Sequence, residues 1–155
     1  MAIPIPTQNV RFPYQKLNPS IQWQNSILHD LAKLYENMNF LPNYDKNTEE
    51  VLALTAMMGY VQKNYSSRIL LKHISSAGNC CKTKCTSLFQ KYLNTSPMVY
   101  LNQYRLEKAV FLLQNTAMSV TAIAYTCGFS NTSYFCELFH KFYDTTPGKF
   151  RGRNG

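Results

Sequence analysis

The segment from Ser119 to Arg151, SVTAIAYTCGFSNTSYFCELFHKFYDTTPGKFR, constrains the fold more than any other part of this chain. Ser119 is placed to cap a short helix whose Val120, Ile123 and Ala124 recur at one-turn spacing and form a core-facing stripe. Gly128 follows where the turn of a helix-turn-helix needs a residue free to adopt positive φ. Ser130 or Asn131 can cap the next helix. Its Tyr134, Phe135, Leu138 and Phe139 are spaced to bury one side, which leaves Thr132, Ser133, Cys136 and Glu137 facing outward. Thr146-Pro147 then reads as a stop. A short helix with a polar face, held on such a turn, has the geometry that enters a DNA major groove.

An earlier segment repeats this layout. Ile69 to Ser76 reads as a helix, Ala77 to Cys80 as a turn, and Cys81 to Leu93 as a second helix, its start some fifty residues before the helix that follows Ser130. Ser96-Pro97 opens a long helix to about Gln114, because proline suits the first helical position. Leu101, Tyr104, Leu106, Ala109, Leu112 and Leu113 give that helix a broad apolar surface. Two helix-turn-helix units on one long helix present two reading helices to one side of a duplex, where successive major-groove segments lie about 34 Å apart.

The front of the chain differs. Residues 1–19 hold four prolines and read as an extended arm. Pro19 or Ser20 starts an amphipathic helix to about Met38, with Trp23, Ile27, Leu31 and Leu34 in its stripe, and Phe40 to Lys46 is a connector. Asn47 followed by Glu50 resembles a capping box that opens a helix from about Thr48 to Asn64, with Val51, Leu52, Leu54, Met58 and Val61 inward. The expected organisation is an N-terminal arm and helix over residues 1–47 and a double helix-turn-helix domain over 48–155. The fold class is all-α: two helix-turn-helix subdomains on a linker helix, preceded by a helical extension.

Charge supports a polyanionic partner. The net charge is +8. Residues 1–50 carry four Lys/Arg against five Asp/Glu, whereas residues 51–155 carry twelve against three. A domain so basic draws nucleic acid through counterion release. An enzyme reading fares worse: His29, His73 and His140 are scattered, acids are scarce, and no glycine-rich phosphate loop or Gly-x-Ser-x-Gly elbow occurs. Cys80, Cys81 and Cys85 cluster near His73, but structural zinc draws on a second ligand pair that this sequence lacks. Metal or thiol sensing is the weaker reading of these residues, and the chain is expected to need no metal and no cofactor. The start lacks a signal peptide, no apolar run has transmembrane length, and five cysteines suit reduced thiols. These features point to a cytoplasmic protein.

These residues resemble the AraC/XylS-type bacterial transcription regulators. The resemblance covers roughly residues 52–151. It rests on Ser119-Val120-x-x-Ile123-Ala124, Gly128-Phe129-Ser130, Ser133-Tyr134-Phe135, Phe139-x-Lys141 and Thr146-Pro147-x-x-Phe150-Arg151, with Arg105-Leu106-x-x-Ala109-x-x-Leu112-Leu113 on the linker helix. It implies a sequence-specific regulator acting on double-stranded promoter DNA, as activator or, less often, repressor. RNA polymerase is then a further partner, and a homodimer could form through the N-terminal helix. It also implies that the groove contacts fall on Lys82, Thr83, Thr86 and Ser87 of the first reading helix and on Asn131, Thr132, Ser133, Cys136 and Glu137 of the second, while Ser130 and Asn131 can offer helix N-terminal amides to a phosphate. Arg151 and Arg153, at the tail, either add phosphate contacts or wave in solvent as a terminal arm. Lys82 and Lys84 suit phosphates, since a flexible ammonium acts as a point charge.

Departures concentrate in the first half. Cys81 and Leu70 stand where the family has hydroxyl caps, and Ser87 replaces a commonly basic residue. In the second half Glu137 stands where arginine is frequent. It either accepts from a cytosine N4 or turns away from the groove as a surface charge. Arg105 is expected to pair with a nearby acid. The second half should therefore carry more of the specificity. The first 50 residues are too few for a ligand-binding barrel and read as the helical tail of a sensor or dimerisation domain, so that the chain resembles a short or truncated member. The alternative function is a helical module that binds another regulator or polymerase.

Overall fold

A computed structural model describes residues 46–153. The proline-rich arm, the helix expected at 19–38 and the connector before Lys46 lie outside the described residues, as do the side chains of Lys46, Asn47 and Arg153. Among the described residues the chain forms seven helices: α1 (Lys46–Asn64), α2 (Leu71–Ala77), α3 (Lys82–Leu93), α4 (Pro97–Asn115), α5 (Val120–Thr126), α6 (Thr132–Tyr143) and α7 (Pro147–Arg153). The all-helical expectation holds there, with α2–α3 and α5–α6 as the two helix-turn-helix units.

The helix boundaries follow local chemistry. Ser96 Oγ accepts from Val99 N at 3.3 Å and Pro97 occupies the first turn of α4, so the Ser-Pro pair caps an otherwise orphaned amide and pre-sets φ. Ser119 Oγ accepts from Ala122 N at 3.1 Å to open α5. The Thr146-Pro147 pair, read as a stop, in fact opens α7 in the same way, with Thr146 Oγ1 accepting from Lys149 N at 3.4 Å. At α1 the capping-box reading fails: the helix is already wound at Lys46, so Asn47 sits inside it and Glu50 is drawn elsewhere.

Two hydrophobic cores share α4. The first joins Leu54, Met57, Met58 and Val61 of α1 to Ile69 and Ile74, to Cys85, Leu88, Phe89 and Leu93 of α3, and to Tyr100 and Leu101. The buried stripe of α1 is therefore the set 54, 57, 58 and 61, while Leu52 lies 37% exposed. Met57 replaces it because α2 and α3 both pack on that side of α1. The second core joins Leu106, Ala109, Val110 and Leu113 of α4 to Ile123, Ala124, Cys127, Phe129, Phe135, Phe139 and Phe150. Phe135 and Phe139 are fully buried, each contributing roughly 1.5–3 kcal/mol of burial. Their rings stack edge-on at 5.7 Å, and Phe139 meets Phe150 at 5.6 Å.

Arg105 ties the halves together. It is 8% exposed; its Nε donates to the Tyr65 carbonyl at 2.7 Å and its Nη2 to the Ser67 carbonyl at 2.8 Å, both in the loop between α1 and α2. The guanidinium also lies 5.7 Å from the Phe129 ring centroid, in the second half. The acid expected as its partner is thus replaced by backbone carbonyls, and burial lowers its pKa. Gly128 completes the joint. Its φ is +89°, and a Cβ there would run into the Tyr65 carbonyl oxygen and come within 3.0 Å of the Arg105 guanidinium.

Candidate nucleic-acid interface

The two reading helices are copies in register. Their N-caps, Cys81 and Asn131, and their left-handed C-caps, Asn94 (φ 50°) and Asp144 (φ 53°), are each fifty positions apart. The turn ahead of each helix also contains one positive-φ residue, Asn79 (φ 50°) in the first half and Gly128 in the second. The second turn is one residue longer, which places Ser130 between the Phe129 plug and the Asn131 cap.

The caps are better preserved than the sequence suggested. Cys81 adopts extended cap geometry, and its sulfur accepts from Lys84 N at 3.4 Å. The position still caps, through a weaker acceptor. Leu70 offers no side-chain acceptor at the start of α2, but its own N–H donates to His73 Nδ1 at 3.2 Å, one half of a capping box closed by a histidine. At α6, Asn131 rather than Ser130 is the cap: its Oδ1 accepts from Ser133 N at 2.7 Å and Tyr134 N at 3.2 Å. Those two amides are thereby used within the protein rather than offered to a phosphate.

On α3, Cys85, Leu88 and Phe89 are buried while Lys82, Thr83, Thr86 and Ser87 are exposed. Successive helical residues are about 100° apart, so Thr83, Thr86 and Ser87 share a face, and the exposed Gln90 continues it. Gln90 was missed, although its spacing of seven from Thr83 marked it. Thr86 Oγ1 donates to the Lys82 carbonyl at 3.0 Å, leaving its methyl and remaining lone-pair capacity directed outward. Lys82 has no acid partner among the described residues. Lys84 is only half-exposed and, with Lys91, is drawn to Glu50 of α1.

On α6, Ser133, Glu137 and His140 are exposed and follow the register of Thr83, Ser87 and Gln90. Thr132 and Cys136 are half-buried, with Cys136 packed against the second core, so its thiol is set back from the face. Burial pushes that thiol's pKa up. Tyr134, expected inside, is 48% exposed. Its hydroxyl accepts from Asn102 Nδ2 of α4 at 3.1 Å, because Phe135, Phe139 and their neighbours already fill the side of α6 that meets the core. Ser130 and Asn131 are exposed at the head of the helix. Arg151 is not a waving tail: its Nη2 donates to the Met118 carbonyl and pins α7 to the loop before α5. The structure therefore gathers Lys82, Thr83, Thr86, Ser87, Ser130, Asn131, Ser133 and Glu137 on exposed surface and holds Lys84, Thr132, Cys136 and Arg151 in part against the protein. All five thiols are free, Cys85 and Cys127 being buried. Among the described residues no group of His, Cys, Asp or Glu is arranged to hold a metal ion, and no helix is long and apolar enough to cross a membrane.

A helix-turn-helix domain family model matches residues 74–153, from within α2 to the end of α7. The chain belongs to the AraC/XylS family of DNA-binding transcription regulators. Over 135 residues the chain is 26% identical to the uncharacterised regulator YdeC of Bacillus subtilis, covering 87% of this chain and 44% of that protein. Over 61 residues it is 48% identical to the transcriptional activator RhaS of Shigella boydii, covering 39% of this chain and 22% of RhaS. A crystal structure of an AraC-type regulator from Chromobacterium violaceum superposes with a TM-score of 0.63 at 27% identity, covering 66% of this chain and 92% of that one. The chain thus spans less than half the length of these two relatives and nearly the whole of the compared DNA-binding structure. The matched segment corresponds to the DNA-binding domain of that family.

Proposed function

We propose that the protein regulates transcription by laying α3 and α6 into successive major-groove segments of one face of a promoter. The observation that carries this reading is the fifty-residue register of two capped helices whose exposed faces, Thr83-Thr86-Ser87-Gln90 and Ser133-Glu137-His140, are built on one shared helix and joined by Arg105. Short hydroxyls and amides on these faces suit base edges, whereas Lys82 suits phosphate. Ser130 and Asn131 lie where the protein would meet the backbone at the head of α6. Glu137 is the acceptor suited to a cytosine N4, and Thr132 stands beside the face rather than on it. Contact with RNA polymerase, and pairing of two copies through the helix expected at 19–38, belong to the same proposal.

Gel-shift titration against promoter fragments at two salt concentrations tests it. Saturable binding that survives competitor DNA is expected. Glu137→Ala and Thr83→Ala should change sequence preference, by about 1–3 kcal/mol at one base position, and Lys82→Ala should weaken binding evenly and reduce the salt slope by about 1. Weak binding erased by salt and blind to sequence would overturn the reading in favour of a protein-interaction module.

A further inference from the structure

Both ion pairs found among the described residues converge on one carboxylate. Glu50 of α1 is only 8% exposed, yet it receives Lys84 Nζ on Oε1, Lys91 Nζ on Oε2 at 2.7 Å and the Tyr92 hydroxyl on Oε2 at 3.0 Å. The two lysines are seven positions apart on α3, two helical turns along a single flank. That flank borders the exposed stripe of Thr83, Thr86, Ser87 and Gln90 on the side of Ser87. An ammonium leaving the carboxylate there would stand at the rim of the reading face, where a phosphate strand passes. The side chains of Lys84 and Lys91 remain 43% and 50% exposed, so neither is locked in the interior.

We propose that Glu50 is an internal rival of the DNA phosphates for Lys84 and Lys91, and that it thereby sets how many backbone contacts the first reading helix can make. It is a positioning residue and touches no DNA itself. The inference rests on reading α3 as a DNA-contacting helix. Of the three lysines on α3, Glu50 leaves Lys82 as the one without a carboxylate partner. The Lys84 ammonium, and then that of Lys91, hold the Glu50 carboxyl down at about 2, so the rival stays ionised wherever DNA binding is measured.

Counterion release makes the number of engaged phosphates readable, since the slope of log K against log salt is about −0.9 per phosphate on duplex DNA. The test is a salt titration of binding to one promoter fragment by the full chain and by Glu50→Gln, which keeps the side chain's shape and an acceptor for Tyr92. The variant should bind more tightly at low salt, with a slope steeper by up to about 2; its advantage should then shrink by roughly tenfold between about 50 and 200 mM salt. Adding Lys91→Gln to Glu50→Gln should remove about half of that gain, while Lys91→Gln alone should leave the wild-type slope unchanged. Glu50→Asp, one methylene too short to bridge both ammonium groups, should give an intermediate slope and serves where Glu50→Gln does not fold. An unchanged slope in the Glu50 variants, or a loss of affinity with no change in slope, would reduce Glu50 to a structural strut and overturn the proposal. A slope that falls by about 1 in Lys91→Gln alone would show Lys91 already on phosphate and overturn it too. No saturable binding by the wild type would overturn the function itself.

Discussion

Glu107 offers a quantitative test of how α4 is packed. Its Oε1 is buried without a hydrogen-bond partner, and the negative charge of its ionised form would bear on both Tyr100 and Tyr143. Burial raises its pKa from 4.5 to about 8, opposed only by Lys108. The sign follows from linkage. Between pH 4.5 and 8 the unfolded chain has released this proton and the folded chain retains it, so the unfolded state binds fewer protons and stability falls as pH rises. The slope is about 1.4 kcal/mol per pH unit. Across the whole window the loss is at most on the order of 5 kcal/mol, and less to the extent that the ionised carboxylate swings toward water. Glu107→Gln removes the titration while keeping the volume. Urea unfolding at half-unit steps from pH 3 to 8.5 should show the wild type losing stability relative to the variant between pH 4.5 and 8, and the two curves parallel below that window. A difference between wild type and variant that stays constant from pH 5 to 8 would refute the reasoning.

Other parts of the scaffold make separate predictions. Cys81→Ser replaces a sulfur cap 3.4 Å from Lys84 N with a hydroxyl oxygen, a better acceptor, and should raise the urea midpoint by an amount equivalent to about 0.5–1 kcal/mol. Asn131→Ala leaves Ser133 and Tyr134 amides without their acceptor and should cost about 1 kcal/mol by the same measurement. Arg105→Gln strands the Tyr65 or Ser67 carbonyl and should cost about 2–3 kcal/mol. Because Arg105 joins the halves, it should also weaken binding to a two-segment site more than to a half-site in parallel gel shifts.

What the sequence made legible was local or periodic. Ser96-Pro97, Ser119, Gly128 and Asn131 could be read because a cap or a positive-φ turn depends on residues within a few positions. The aromatic back of α6 was legible because helical periodicity brings Phe135 and Phe139 to one side. Apart from Thr146-Pro147, which opens a helix through Lys149 three positions on, the failures involve partners distant in the chain. Glu50 looked like a capping residue, but its partners lie 34 to 42 positions away on α3. Charge alone suggests an acid for Arg105, whereas the loop it meets, 38 to 40 positions away, offers carbonyls. Tyr134 fits an apolar stripe in one dimension and lies outside it in three, its hydroxyl held by Asn102. The position of Arg151 suggests a tail contact, and nothing nearby in sequence announces Met118 as its acceptor. Gln90 is a further exception, since its spacing of seven from Thr83 is visible in the sequence.

The central claim is that α3 and α6 read two successive major-groove segments of one duplex. Methylation interference tests it most directly, because it reports which guanine N7 atoms in the major groove must stay unmodified for binding. The account predicts two clusters of interference on the same face of the DNA, about 10 base pairs apart centre to centre, with Glu137→Ala altering one cluster and Thr83→Ala the other. A single cluster, or two that respond together to either substitution, would contradict it.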